Sequence, residues 1–231
     1  MGRALPAPFT AISCIGSAEF RQVERFSSSS QRRVFCFAAI ECSYASTIEN
    51  RPNVKIIFLH AKEIIQRLGD GTLDIGVSGL DLLKESDINL QSKINIQKKL
   101  DYGNANLVIA VPDDWIDVQT IADLEEISFD IRSKRNTRLR VATKYPNLTN
   151  DFLISKGVTQ YKLIPSLGAT ETYPFIGSSE IITDITSTGK TLADNNLRVL
   201  KDGLILSSKA CLFVAKKKAA KLQPFLKSLG R

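Results

Sequence analysis

The residues best equipped for chemistry lie between Glu171 and Leu192, in the run ETYPFIGSSEIITDITSTGKTL. Ile181, Ile182 and Ile185 are β-branched and apolar, which predicts a buried strand. Thr186, Ser187, Thr188 and Gly189 then form a hydroxyl-rich turn, and a helical stretch begins near Thr191. Such a turn aims several backbone N–H groups into one concavity at a helix N-terminus, where the partial positive charge favours an anion. The segment is expected to cradle phosphate. Thr188-Gly189-Lys190-Thr191 imitates the end of the triphosphate loop G-x-x-x-x-G-K-[ST], but Asp184 stands where that motif has its first Gly. A carboxylate there obstructs close phosphate approach and repels a triphosphate. It suits a ribose, because it accepts hydrogen bonds from vicinal hydroxyls while the loop holds a 5'-phosphate. A phosphoribosyl group is therefore favoured over a triphosphate.

Other chemistries find little support. His60 is the single histidine of the 231 residues, so any Ser-His-Asp or Cys-His mechanism would run through it. It falls in IIFLHA and reads as a packed or strand-end histidine. Cys14, Cys36, Cys42 and Cys211 form no C-x-x-C pair and have no histidine cluster beside them, which argues against a metal centre or a disulfide framework. The formal charge is +7, but the basic residues are dispersed except for Arg132 to Arg140 and Lys216 to Lys221. No aromatic residues interleave with the first cluster to stack on bases, so no nucleic-acid partner is expected; a binder built on Arg132, Lys134, Arg135, Arg138 and Arg140 is the minor alternative. The longest apolar runs, Ala105 to Pro112 and Ala210 to Ala215, are far below the ~20 residues that cross a bilayer, so no membrane span is expected.

The elements that must position the loop alternate short β-branched runs with amphipathic stretches from Asn53 onward, the pattern of α/β layering around a mainly parallel sheet. The strand VKIIFL precedes the helix AKEIIQRLGDG, with Ile64, Ile65 and Leu68 on one face; LDIGVSG and the helix LDLLKES follow. From Tyr102 a second set begins: the strand ANLVIAVP, a helix over Val118 to Glu126, the strand LRVATKY, a helix from Pro146 to Lys156, then YKLIPS and EIITDI. A last strand is expected over Leu204 to Ala215.

Ten positions, Glu171, Gly177, Ser179, Ile182, Asp184, Ile185, Thr188, Gly189, Thr191 and Leu192, together resemble the signature of the ATP phosphoribosyltransferases of histidine biosynthesis. Asn50-Arg51-Pro52-Asn53 before VKIIFLHA, with Asp74, Gly76, Gly79 and Asp81 after it, is similar to a second block of that family. Leu139-Arg140-Val141-Ala142-Thr143-Lys144-Tyr145-Pro146 is similar to a third. The likeness runs from about Ile48 to Ala215. It implies a two-lobed, periplasmic-binding-protein-like (type II) α/β fold with two strands crossing between lobes and ligands in the cleft. Lobe I would be residues 1–102 and 206–231, and lobe II residues 103–205. The implied reaction condenses ATP with 5-phosphoribosyl 1-diphosphate to N1-(5-phosphoribosyl)-ATP and diphosphate, without a protein nucleophile and with Mg2+ carried on the substrate rather than held by protein ligands.

Residue roles follow from the matched positions. Thr186, Ser187, Thr188, Gly189, Lys190 and Thr191 would hold the 5'-phosphate, and Asp184 would face the ribose. Lys190 also reads as an exposed helix-start lysine. Asp74, Gly76, Gly79 and Asp81 are possible cleft contacts or turn punctuation, and Glu171 positions the loop or caps a helix. The resemblance is to the short form, without a C-terminal regulatory domain, which implies a cytoplasmic hetero-oligomer with a regulatory subunit resembling a histidyl-tRNA synthetase.

Residues 1–47 depart from the family. Its Lys-Gly-Arg turn is missing after Ala4-Leu5-Pro6, and the segment through Ile40 has five arginines and no lysine. The favoured explanation is a reading frame disturbed between about Pro6 and Cys42, ahead of a diverged lobe or a transit segment. It carries the expectation that lobe I lacks its first strand. The missing turn also keeps open a catalytically impaired or non-catalytic anion-binding protein.

Overall fold

The computed structural model describes residues 9–13, 45–48 and 51–229, with side chains from Val54 to Lys227. Its contacts divide the chain into two units, Met1–Asp101 with Ala210–Arg231, and Tyr102–Lys209. Each is an α/β layer built on its own sheet.

The strands of the first unit are β1 (Phe9–Ser13), β2 (Ala45–Ile48), β3 (Arg51–Ile57), β4 (Ile75–Gly79), β5 (Ile94–Lys99) and β11 (Ala210–Ala215), ordered β2-β3-β1-β4-β11-β5. The expected loss of the first strand is overturned. β1 comes from the anomalous segment and runs parallel between β3 and β4, with Phe9 opposite Val54 and Ala11 opposite Ile75. Its sequence FTAIS is rich in the β-branched and aromatic types that fit a pleated surface. The expectations for residues 14–44, including the disturbed frame, lie outside the described residues.

Period-2 alternation on β11 divides the packing between two faces. Cys211, Phe213 and Ala215 meet Ile64, Ile65 and Leu68 of α1 (Ala61–Asp70) on one side. Val214 packs with Leu222 and Leu226 of α7 (Ala219–Leu229) on the other. Phe213 is fully buried, so its truncation would cost about 3–5 kcal/mol. His60 is not the expected strand residue: β3 stops at Ile57, and the exposed imidazole caps α1, its Nδ1 accepting from the Lys62 N–H at 3.4 Å. α2 (Leu80–Glu85) and α3 (Ile88–Gln91) complete the described helices of this unit.

The second unit contains β6 (Ala105–Pro112), β7 (Leu139–Thr143), β8 (Tyr161–Pro165), β9 (Ile181–Thr186) and β10 (Leu197–Ser208), ordered β10-β6-β9-β7-β8. β7 is parallel to β8 and β9, whereas β6 is antiparallel to β9 and β10. Both faces are covered, which is why β6 and the Ile181-Ile182 start of β9 are apolar on both sides of the sheet. Ile109, Val111, Val141 and Ile181 pack with Ile121 and Leu124 of α4 (Ile121–Arg135) and Leu153 of α5 (Pro146–Ser155). Val108, Ala110, Ala142 and Ile182 pack with Leu192 of α6 (Lys190–Asp194) and with Leu197.

Two further expectations are corrected. The helix foreseen at Val118 to Glu126 is α4, which starts later and runs nine residues further. Thr120 and Asp123 form a capping box that fixes its start, and Asn136, left-handed at φ 52°, ends it. The charged stretch from Asp130 is its exposed last turn, with Lys134 bridging Asp130 at i, i+4. The single strand foreseen over Leu204 to Ala215 is two strands, β10 and β11, which break at Lys209 and belong to different sheets. Among the described residues no helix is long and apolar enough to cross a membrane.

Candidate functional site

β9 begins with Ile181 and Ile182 anchored in opposite cores and ends in polar residues, so the sheet delivers Asp184 and Thr186 to its carboxyl edge. The Asp184 carboxylate accepts the Ile185 N–H at 2.8 Å. Burial pushes its pKa above the ordinary carboxylate value; the Ile185 N–H, the Lys144 charge and the Thr170 hydroxyl pull against this, while Glu171 adds to it. Four residues of three segments are thereby gathered: Asp184 on β9, Lys144 just past β7, and Thr170 and Glu171 on a 3-10 turn (Thr170–Thr172) that packs on β9.

Buried hydroxyls tie that turn to the sheet. The Ser166 N–H donates to the Thr143 carbonyl at 3.0 Å, and the Ser166 and Thr170 hydroxyls lie 2.9 Å apart. Ser166 and Thr170 are buried, so the pair replaces lost hydration inside the unit. Beyond the turn Gly177 takes φ +69° and donates its N–H to Pro174 O, a conformation that accounts for a glycine there. Glu171, half-buried, stands beside the loop rather than capping a long helix.

The loop after β9 is already folded on itself. The Thr186 hydroxyl accepts from the Gly189 N–H at 2.8 Å, and the Thr188 hydroxyl from the Lys190 N–H at 3.4 Å. Two of the amides expected to face phosphate are thus occupied, yet each threonine hydroxyl keeps its own proton to donate. Gly189 sits at φ +76°, ψ −5°, a left-handed conformation in which a side chain is strained, although a Cβ would meet no atom within 4 Å. Ser187, Thr188, Lys190 and Thr191 are exposed. α6 begins at Lys190, one residue before the expected start, and is five residues long.

The first-unit residues do not form one cluster. Asp74 precedes β4 and Asp81 follows it, so the strand separates them by about 16 Å or more. Asp74 is 6% exposed and bridges Lys218 at 2.6 Å. A Cβ on Gly76 would stand 2.4 Å from Ile64 Cγ2, so close helix–strand packing requires that glycine. Gly79 precedes α2 at φ −73°, and a Cβ there would meet Asp81 Oδ1 at 2.3 Å.

Sequence reasoning did not single out Lys144 or Thr170. Thr170 adjoins Glu171, and Lys144 closes the strand LRVAT, so a parallel pairing of that strand with EIITDI was the signal available. The basic cluster is dispersed: Arg132, Lys134 and Arg135 occupy the last turn of α4, and Arg140 is committed to Glu180 at 2.7 Å.

Comparison with known proteins agrees with this reading. The family model described as HisG: ATP phosphoribosyltransferase matches residues 60–230. An ATP phosphoribosyltransferase of Nitrobacter winogradskyi is 47% identical over 75% of this chain and 53% of its own length. Those of Chelativorans sp. and Rhizobium etli are 47% and 44% identical, covering 77% and 81% of this chain and 78% and 81% of theirs. Among solved structures, an ATP phosphoribosyl transferase (HisG:HisZ) complex from Thermotoga maritima aligns with TM-score 0.68 at 23% identity, covering 96% of each chain. The arginine-bound form of truncated ArgBP from the same organism aligns at 0.50 and 16% identity, over 96% of this chain and 94% of that one. The fold is therefore the two-lobed periplasmic-binding-protein-like type, and a purely anion-binding protein is not favoured. The chain belongs to the HisG family of ATP phosphoribosyltransferases.

Proposed function

We propose that the chain catalyses condensation of ATP with 5-phosphoribosyl 1-diphosphate, giving N1-(5-phosphoribosyl)-ATP and diphosphate. The observation that carries this reading is Asp184 at the carboxyl end of β9, followed at once by the prefolded Thr186-Ser187-Thr188-Gly189-Lys190-Thr191 loop, in a chain of this family. In the proposed roles, the Thr186, Ser187, Thr188 and Thr191 hydroxyls donate to the 5'-phosphate and Asp184 accepts from the ribose hydroxyls. Lys190 adds positive charge at the mouth.

Adenine N1 attacks the anomeric carbon as the C1–O bond to diphosphate breaks. The sugar passes through an oxocarbenium-like state, so the rate comes from alignment and from fields that suit a cation. Glu171 and Asp184 supply such a field on the sugar side. Mg2+ is proposed to arrive on the diphosphate and to neutralise it as it leaves. Gly79 and Asp81, at the carboxyl end of β4, remain the first unit's candidate contacts; the ion pair and packing of Asp74 and Gly76 favour structural roles. We further propose a hetero-oligomer with a regulatory subunit resembling a histidyl-tRNA synthetase, in the cytoplasm.

The test is formation of phosphoribosyl-ATP from the two substrates with Mg2+, with and without that subunit. Product supports the reading. Binding of phosphoribosyl diphosphate without turnover in either mixture would return the impaired or non-catalytic alternative.

A further inference from the structure

We propose that Lys144 is a positioning residue of the phosphoribosyl site, facing Asp184 from just past the carboxyl end of β7 and keeping that carboxylate ionised for the ribose. The proposal rests on the reading of the site given above. β7 and β9 are parallel neighbours in the register Val141 to Ile181, Ala142 to Ile182 and Thr143 to Thr183. One step further in this register, Lys144, just past the end of β7, falls beside Asp184, two residues before β9 ends. Aligned residues of parallel strands share a face, so the lysine and the carboxylate project to the same side.

The surroundings of Asp184 make a cation there consequential. On β6 the residue opposite is Val108, which offers no charge. On the 3-10 turn Thr170 contributes a hydroxyl bond and Glu171 a second negative charge. Lys190 and Asp194 on α6 are exposed. The negative charge of Glu171 disfavours an ionised Asp184, and a lysine just past the end of β7 relieves it. Lys144 is exposed and takes part in none of the salt bridges among the described residues. Only the ionised carboxylate offers both oxygens as acceptors to vicinal hydroxyls; protonated, it presents one as a donor.

The experiment is a 13C-carboxyl NMR titration of Asp184 in the unliganded full chain, for wild type, Lys144→Met and Lys144→Arg. Phosphoribosyl-diphosphate binding is followed by calorimetry across the same pH range. In Lys144→Met the Asp184 titration and the acid limb of binding move together to higher pH, while affinity on the alkaline plateau is kept; Lys144→Arg restores both. An unmoved Asp184 titration overturns the proposal. So does an equal loss of affinity at every pH, which would make Lys144 a direct phosphate ligand. If the wild type binds no phosphoribosyl diphosphate at any pH, the reading of the site fails, and the Asp184 titration still rules on the pairing with Lys144.

Discussion

Arg140 and Glu180 clamp the leading ends of two adjacent parallel strands. The Arg140 backbone N–H and guanidinium both donate to the Glu180 carboxylate, at 2.7 Å each for the closest pairs, and the Glu180 N–H returns a bond to Arg140 O at 3.1 Å. The same two strands carry Lys144 and Asp184 at their other ends, so the clamp sets the register on which the site depends.

Arg140→Met is expected to destabilise the protein by about 1.5–3 kcal/mol in urea denaturation, the range for hydrogen bonds to a charged group. Burial raises the Glu180 carboxyl, but the Arg140 bonds outweigh it and the net value is lowered. A carboxyl lowered on folding adds stability above its unfolded value, and loses it as pH falls through the folded one. The gap between wild type and Arg140→Met should therefore be full at neutral pH and close below about pH 4.5, the unperturbed value. A gap that stays constant into acid would refute the ionic account.

At Asp184 the sign is opposite. Its folded pKa is raised by burial, so its contribution favours folding in acid and is lost as pH rises through the folded value. Asp184→Asn should raise Tm at pH 7 and lose that advantage in acid. The same variant should weaken phosphoribosyl-diphosphate binding roughly 10- to 150-fold. Stability and binding moving in opposite directions is the expected mark of a group strained for function. Calorimetry on one pair of proteins checks both, and unchanged affinity would remove Asp184 from the ribose role.

Gly189→Val should abolish phosphoribosyl-diphosphate binding with only a small change in Tm. At φ +76° a β-branched residue is strained by about 1–2 kcal/mol, and the loop relieves this by rearranging. No neighbouring atom lies where the Cβ would go, so no core is disrupted. Retained binding would refute the assigned cradle.

Gly76→Ala separates packing from ligand contact. The new Cβ would collide with Ile64 Cγ2 at 2.4 Å, which should cost about 1–3 kcal/mol by overpacking. Adding Ile64→Val shortens the obstructing side chain at Cδ1 but keeps Cγ2, so it should recover little, whereas Ile64→Ala should recover part of the loss. Stability of Gly76→Ala equal to wild type would contradict the close approach of α1 to β4.

The sequence by itself determined the α/β class, the apolar strand β6, the strand β9, the helix α1 and the hydroxyl-rich turn after β9, because these are written in local periodicity and turn chemistry. Family membership was legible for the same reason, through ten residues in one short segment. The N-terminal strand was not legible: FTAIS is too short and its surroundings too atypical to announce a strand, and its place between β3 and β4 comes from pairing across more than forty residues. The end of α4 was hidden because its last turn is polar and gains its order from capping and an i, i+4 pair. Strand pairing alone decided that Lys144 meets Asp184, since forty residues separate them and only the β7–β9 register brings them together. The separation of Asp74 from Asp81, by contrast, was already legible, because the strand LDIGVSG lies between them in the sequence and is the β4 of the structure.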